Sequence, residues 1–283
     1  MAELNVKVPI SIKAALRSES LRSGESFTFI VSAALSQYLG VSLHTLFQVS
    51  TSGATVSGLY ATSVSAQALL AHGDFGLGTF EFLDESEMIV LDGQVYKAGI
   101  GGTVCEAPLT SLASFAVMTR FNPQLDTYLS AIDDVEDLCR RCDRYRSSNG
   151  LFHAFRLDGR FEVVKTCAGR SAAGATRTAE GGNGQDDCVF AHGSGTLVGI
   201  WSPEFSTAFG VSGHHFQFIS DDRQHGGPLL DCRARKLRLR MEALTDFHLA
   251  FPETESYLKA DLRLDASVGS RTGRRVFAGE SYA

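Results

Sequence analysis

The stretch EMIVLDGQVYKA, residues 87 to 98, constrains the fold more than any other segment of the chain. Two apolar runs flank a single Asp92-Gly93 pair, the dipeptide that best supplies the left-handed backbone of a two-residue hairpin turn. A hairpin is marginal alone, so this one demands more strands. They are present: KLRLRME, residues 236 to 242, alternates Leu237, Leu239 and Met241 with Lys236, Arg238 and Arg240. That is the period of a strand with one apolar and one charged, solvated face. SFAVMTRF, GTLVGIWSP and HHFQFIS read as further strands, and LFHAFRLDGRFEVVKTC predicts a second hairpin around Asp158-Gly159. Asp74 and Asp92 read as turn formers.

Helical signals are fewer. SVSAQALLAHG predicts a short helix, capped by Ser63 or Ser65 and ended by Gly73. A second helix is expected near 27 to 39, after the short alternating stretch LNVKVPISI, and TLFQVSTSGATVSGLY reads as strand then helix. Leu129, Ile132, Val135 and Leu138 recur at helical spacing and predict an amphipathic helix within 125 to 148. Residues 168 to 187 are Gly, Ala, Ser and Thr without apolar periodicity, which reads as a flexible loop. The expected organisation is an N-terminal extension (1–44), a β-rich subdomain (45–165), a linker (166–190) and a C-terminal β subdomain with a tail (191–283). The fold class is α+β (mixed α/β), with mixed and antiparallel sheets and few helices.

Composition excludes several function classes. A net charge of −6 over 283 residues argues against non-specific nucleic-acid binding. No run of eighteen apolar residues exists, so no membrane partner is expected, and without a signal pattern the expected location is cytoplasmic. The six cysteines are irregularly spaced; Cys139 and Cys142 form a CxxC, but no second close pair completes a zinc ribbon, and reduced thiols are expected. GDFGLGTF lacks the lysine of a phosphate-binding loop.

Three of the eight histidines fall in GHHFQFISDDRQHGGP, residues 213 to 228, at spacings awkward for three ligands on one strand. LFQVSTSGATVSGLY, HGDFGLGTFEFLD, EMIVLDGQVYKA, GTLVGIWSPEF and PETESYLKADL occur in this order, and together they resemble the α-acetolactate decarboxylase family from about residue 45 onward. The resemblance implies a two-subdomain fold, usually a homodimer. It implies a zinc ion held by a His-x-His pair on a strand and a third histidine in a following GGH. It also implies two glutamates and a substrate-binding arginine, and decarboxylation of 2-acetolactate to acetoin. A cation chelated by the hydroxyl and keto oxygens would spread the charge left by departing carbon dioxide, and a nearby carboxylic acid would deliver a proton.

Carried over residue by residue, the first glutamate falls on Glu87, with Glu85 competing, the second on Glu280, and a pocket threonine on Thr79. The His-x-His pair falls on His215 and Gln217, the third histidine on Pro228, and the arginine on Cys167 with Arg170 nearby. Proline has no donor atom, and a neutral amide is a poor zinc ligand beside imidazole. The expectation is a metal-free pocket: His215, Glu87 and Glu280 catalytic; Thr79, Gln217, Phe216, Phe218, Trp201 and Arg170 against the substrate. The alternative is a rearranged Zn²⁺ site of His215, His225 and Glu87. His214 reads as a surface or packing residue and His72 as support for a helix end. The expected function is a repurposed enzyme acting on a larger small molecule, by β-oxo acid decarboxylation, rearrangement or cyclisation in secondary metabolism. The alternatives are the zinc-dependent family reaction and a non-catalytic binding protein.

Overall fold

The computed structural model describes residues 5–39, 43–50, 64–80, 86–167, 187–210 and 212–251. The chain divides into two compact units, Met1–Leu43 and His44–Ala283. The first contains two helices, α1 (Ile10–Ser23) and α2 (Phe27–Leu39). Helix α2 lies where the apolar run places it. Helix α1 replaces the end of the alternating stretch: Pro9 precedes its first turn and Gly24, left-handed at φ 76°, ends it.

The second unit carries two sheets. The first is mixed, in the order β14 (Asp246–Ala250), β1 (Thr45–Val49), β7 (Leu112–Thr119), β3 (Phe75–Phe80), β4 (Glu87–Leu91), β5 (Gln94–Ala98), β6 (Val104–Glu106), with β2 (Val64–Ser65) paired to β7. Among its described strands, only β1 and β14 pair in parallel. The second sheet is antiparallel, in the order β10 (Asp187–Ala191), β9 (Phe152–Cys167), β11 (Ser194–Ser202), β12 (Gly213–Ser220), β13 (Gly226–Leu244), β8 (Leu125–Ile132). An additional pairing of β9 with β13 closes β9, β11, β12 and β13 into a ring. Helix α3 (Ala66–Leu70) starts on Ser65, whose hydroxyl accepts from the Ala68 amide as the sequence predicts.

Three apolar clusters follow from strand alternation. One lies between the sheets, where Leu77, Ile89 and Leu91 of the first meet Val198, Ile200 and Ile219 of the second. Another covers the opposite face of the first sheet, around Met88, Val90, Met118 and Leu69. The third fills the other face of the second sheet, where Phe155, Phe161, Phe218 and Leu237 pack with Leu138 of α4 (Val135–Asp143).

The Asp92-Gly93 hairpin forms as expected, with both turn residues left-handed at φ 53° and 76°. Asp92 also pairs with Arg156 on β9, so the turn ties one sheet to the other. Two expectations fail. Residues 125–132 form strand β8 rather than the start of a helix, because Leu125 and Leu129 zip in register against Met241 and Leu237. The helix begins at Val135, where the Asp134 side chain accepts from the Asp137 amide. No hairpin forms at Asp158-Gly159, since β9 runs straight through it. Gly159 is there for close approach: a Cβ would lie 2.9 Å from the Lys236 carbonyl oxygen. Asp158 is not a turn residue but an acceptor for Arg156, Arg240 and Thr196.

Candidate active site between the two sheets

Alternation decides which side chains enter the space between the sheets. On β4, Glu87 shares its face with Ile89 and Leu91; on β3, Thr79 shares its face with Phe75 and Leu77. The ladder sets Thr79 directly opposite Glu87, and continues the row to Phe115 on β7 and Ala98 on β5. From the second sheet, Gln217 lies on the same face of β12 as Ile219, with His215 two residues before it. Pro228 is the register partner of Gln217.

The two rows meet. The Gln217 amide Nε2 donates to the Glu87 carboxylate Oε2 at 3.0 Å, joining the sheets by one polar contact. Burial pushes the Glu87 carboxyl up to about 7, and the Gln217 hydrogen bond opposes that shift by favouring the ionised form. Glu87 therefore stands near half-protonated at neutral pH, as a proton donor needs. Gln217 Oε1 and Thr79 Oγ1 are buried without a hydrogen-bond partner among the described residues, which leaves both for a ligand.

Thus Glu87, Gln217, Thr79 and His215 share the inner faces of the two sheets. Phe216 and Phe218 do not join them. Both are buried on the opposite face of β12, in the cluster beneath α4, and Trp201 packs against that cluster under the Arg146 guanidinium at 3.6 Å. A pocket wall built from these aromatics is corrected by strand parity: His214, Phe216 and Phe218 alternate with His215 and Gln217. The sequence reading does not single out Phe115, which is partly exposed on the Thr79 row. Nothing in SFAVMTRF separates it from a core phenylalanine until the register is known. Glu280, Glu85 and Arg170 lie outside the described residues.

His214 is a packing residue as expected: its Nε2 meets Asp143 at 2.7 Å and its ring stacks on Phe216. His72 stacks on Phe47 with centroids 3.6 Å apart, and burial pushes its pKa down to about 4. The CxxC lies on α4, with Cys142 buried and burial raising both thiols, so neither is primed as a nucleophile.

The donors do not fit a three-imidazole zinc centre. His215 supplies one imidazole; Gln217 turns its amide nitrogen to Glu87, and Pro228 offers no donor. The rearranged set also does not assemble. His225 is exposed, with its ring against Phe190 and 3.9 Å from Asp222, and no group of three or more His, Cys, Asp or Glu among the described residues is placed to hold a metal.

Fold and site together define an α+β protein with a titratable carboxyl group held between two sheets. The alpha-acetolactate decarboxylase family profile matches residues 46–264. The Klebsiella aerogenes alpha-acetolactate decarboxylase is 34% identical over 229 residues, 80% of this chain and 88% of that protein. The Brevibacillus brevis enzyme is 30% identical over 77% of this chain and 76% of its own length. Among solved structures, alpha-acetolactate decarboxylase from Bacillus subtilis strain 168 superimposes with a TM-score of 0.70 at 27% identity, covering 79% of this chain and 96% of that one. The chain belongs to the alpha-acetolactate decarboxylase family, whose named members are carboxy-lyases.

Proposed function

We propose that this protein is a lyase that uses the family cleft without a three-histidine zinc centre, on a β-oxo acid larger than acetolactate. The observation that supports it is the Gln217–Glu87 hydrogen bond, with Pro228 in register beside it, at positions where the family resemblance calls for imidazoles. In the proposed step the bond between the α-carbon and the carboxylate breaks, carbon dioxide leaves, and the electron pair becomes an enolate. Thr79 Oγ1, which has no other partner among the described residues, donates to the enolate oxygen. Protonated Glu87 delivers its proton to the α-carbon and recovers one from solvent. Cys167 in place of an arginine removes a fixed cation that would select a small carboxylate, which favours a bulkier substrate. Rearrangement or cyclisation of such a substrate would draw on the same acid.

A second reading, zinc-dependent conversion of acetolactate to acetoin, is favoured by the names of the curated relatives. Carbon dioxide release from acetolactate and from a panel of larger β-oxo acids, with and without a strong chelator, separates the two. The proposal expects turnover of a larger acid that the chelator leaves unchanged. Fast acetolactate turnover abolished by the chelator would establish the second reading instead.

A further inference from the structure

Where β9 meets β13 next to the β10–β11 turn, a groove of about 350 Å³ is lined by Arg160, Phe161, Glu162, His192, Arg235 and Lys236. Among the described residues, two of its cations lack the carboxylates that answer Arg156 and Arg240 on the same strands. Arg160 on β9 and Lys236 on β13 are direct register partners, so two cations stand opposite each other on one face. Like charges in that relation repel. Farther along β13 each cation is answered by a carboxylate: Arg238 pairs with Asp126 on β8 at 2.5 Å, and Arg240, although opposite Arg156 on β9, pairs with Asp158 at 2.7 Å. Neither Arg160 nor Lys236 has a carboxylate partner among the described residues; Lys236 lies over the Tyr128 ring at 4.2 Å.

The backbone adds to this concentration of charge. The register of β13 against β9 shifts between Ala234 and Lys236, a bulge with Arg235 as the extra residue. In a regular strand Arg235 and Lys236 would point to opposite faces; the bulge re-aims Arg235 so that both line the groove. Glu162 answers Arg235 alone, at 2.7 Å. His192 closes the groove from the β10–β11 turn with a left-handed backbone at φ 55°. Three cations and a histidine thus face one carboxylate, on a chain whose net charge is −6.

We propose that this groove binds a small multivalent oxyanion of the phosphoryl class, shared between Arg160 and Lys236. A guanidinium presents a planar fork to two oxygens, and an ammonium adds a point charge. One tetrahedral phosphoryl group can occupy both at cross-strand spacing and cancel the repulsion that the sheet otherwise carries. The inference is independent of the reaction between the sheets.

The test is calorimetric titration of the full chain with inorganic pyrophosphate at low ionic strength. One site is expected, weakened about tenfold or more by Arg160→Gln and likewise by Lys236→Gln. Arg238→Gln, which removes equal charge from the same strand, leaves binding unchanged. Without ligand, Arg160→Gln keeps or raises the melting temperature. Equal weakening by Arg238→Gln would reduce the effect to bulk charge and overturn the site, as would unchanged binding in the Arg160→Gln/Lys236→Gln double variant. Tighter binding of citrate than of pyrophosphate would overturn the phosphoryl class.

Discussion

Turnover falls roughly 10²- to 10⁴-fold in Glu87→Gln, the range expected when a positioned general acid is removed. The substitution keeps the shape of the side chain and its contact with Gln217, so the fold persists. The pH profile gives the sharper readout. Acid catalysis needs the protonated carboxyl, so the rate declines as pH rises through about 7, where burial has placed Glu87. Gln217→Leu removes a hydrogen bond that favours the ionised form, so the carboxyl rises further and the alkaline limb moves to higher pH. A limb that stays in place or moves down contradicts this role for Gln217. Stability carries the same signature. The Glu87 carboxyl titrates at about 7 when folded against an ordinary 4.5, so burial of its charge costs nothing below 4.5 and costs more as pH rises to 7. Glu87→Gln escapes that cost, so its stability advantage grows over this window and levels off above it, at about 3 kcal/mol at most. Melting curves of the two proteins across pH measure it without any substrate.

The second large effect lies in the glycines of HGDFGLGTF. A methyl group on Gly78 would lie 2.3 Å from the Phe115 carbonyl oxygen and 2.7 Å from the Met88 Cε. On Gly76 it would lie 2.2 Å from the Val117 carbonyl oxygen. These are backbone oxygens of β7, which pairs with β3 along its length, so relief requires moving a central strand. Gly78→Ala is expected to lose about 3 kcal/mol or more in denaturant unfolding. Gly193→Ala, where a Cβ meets nothing within 4 Å, is expected to change stability by less than about 0.5 kcal/mol. Equal stabilities for the two variants would contradict a packing role for the motif. That role accounts for the two glycines in a segment of which Thr79 reaches the polar row.

Period-two alternation and the Asp92-Gly93 turn were legible because both are local: a residue's neighbours in sequence decide them. Glu87, Thr79, Gln217 and His215 could be placed on common ground because the family resemblance supplied the pairing that the residues alone do not. What local pattern could not reveal was long-range. Leu129 and Ile132 fit a helix as well as a strand, and only the complementary run Leu237 to Met241, over a hundred residues away, decides for β8. Asp158-Gly159 carries a turn signature, yet β9 is paired on both sides there, with Thr196 and Gly195 on β11 and Arg238 and Leu237 on β13. Ladders on both flanks outweigh a dipeptide preference. Phe216, Phe218 and Trp201 were expected against a substrate because they are aromatic and near His215. Parity sends the two phenylalanines to the far side of β12, and Trp201 packs with their cluster.

The central claim is that an amide and a proline stand where imidazoles would be needed, so the cleft works through Glu87 and its hydrogen bonds. Zinc titration of metal-stripped protein against a competing chromophoric chelator tests it most directly, comparing wild type with Gln217→His/Pro228→His. Those two positions are register partners beside His215, so the double variant restores a three-imidazole set. The account predicts that zinc affinity rises by orders of magnitude in the double variant and that wild type competes poorly. Stoichiometric zinc held by wild type as tightly as by the double variant would contradict it.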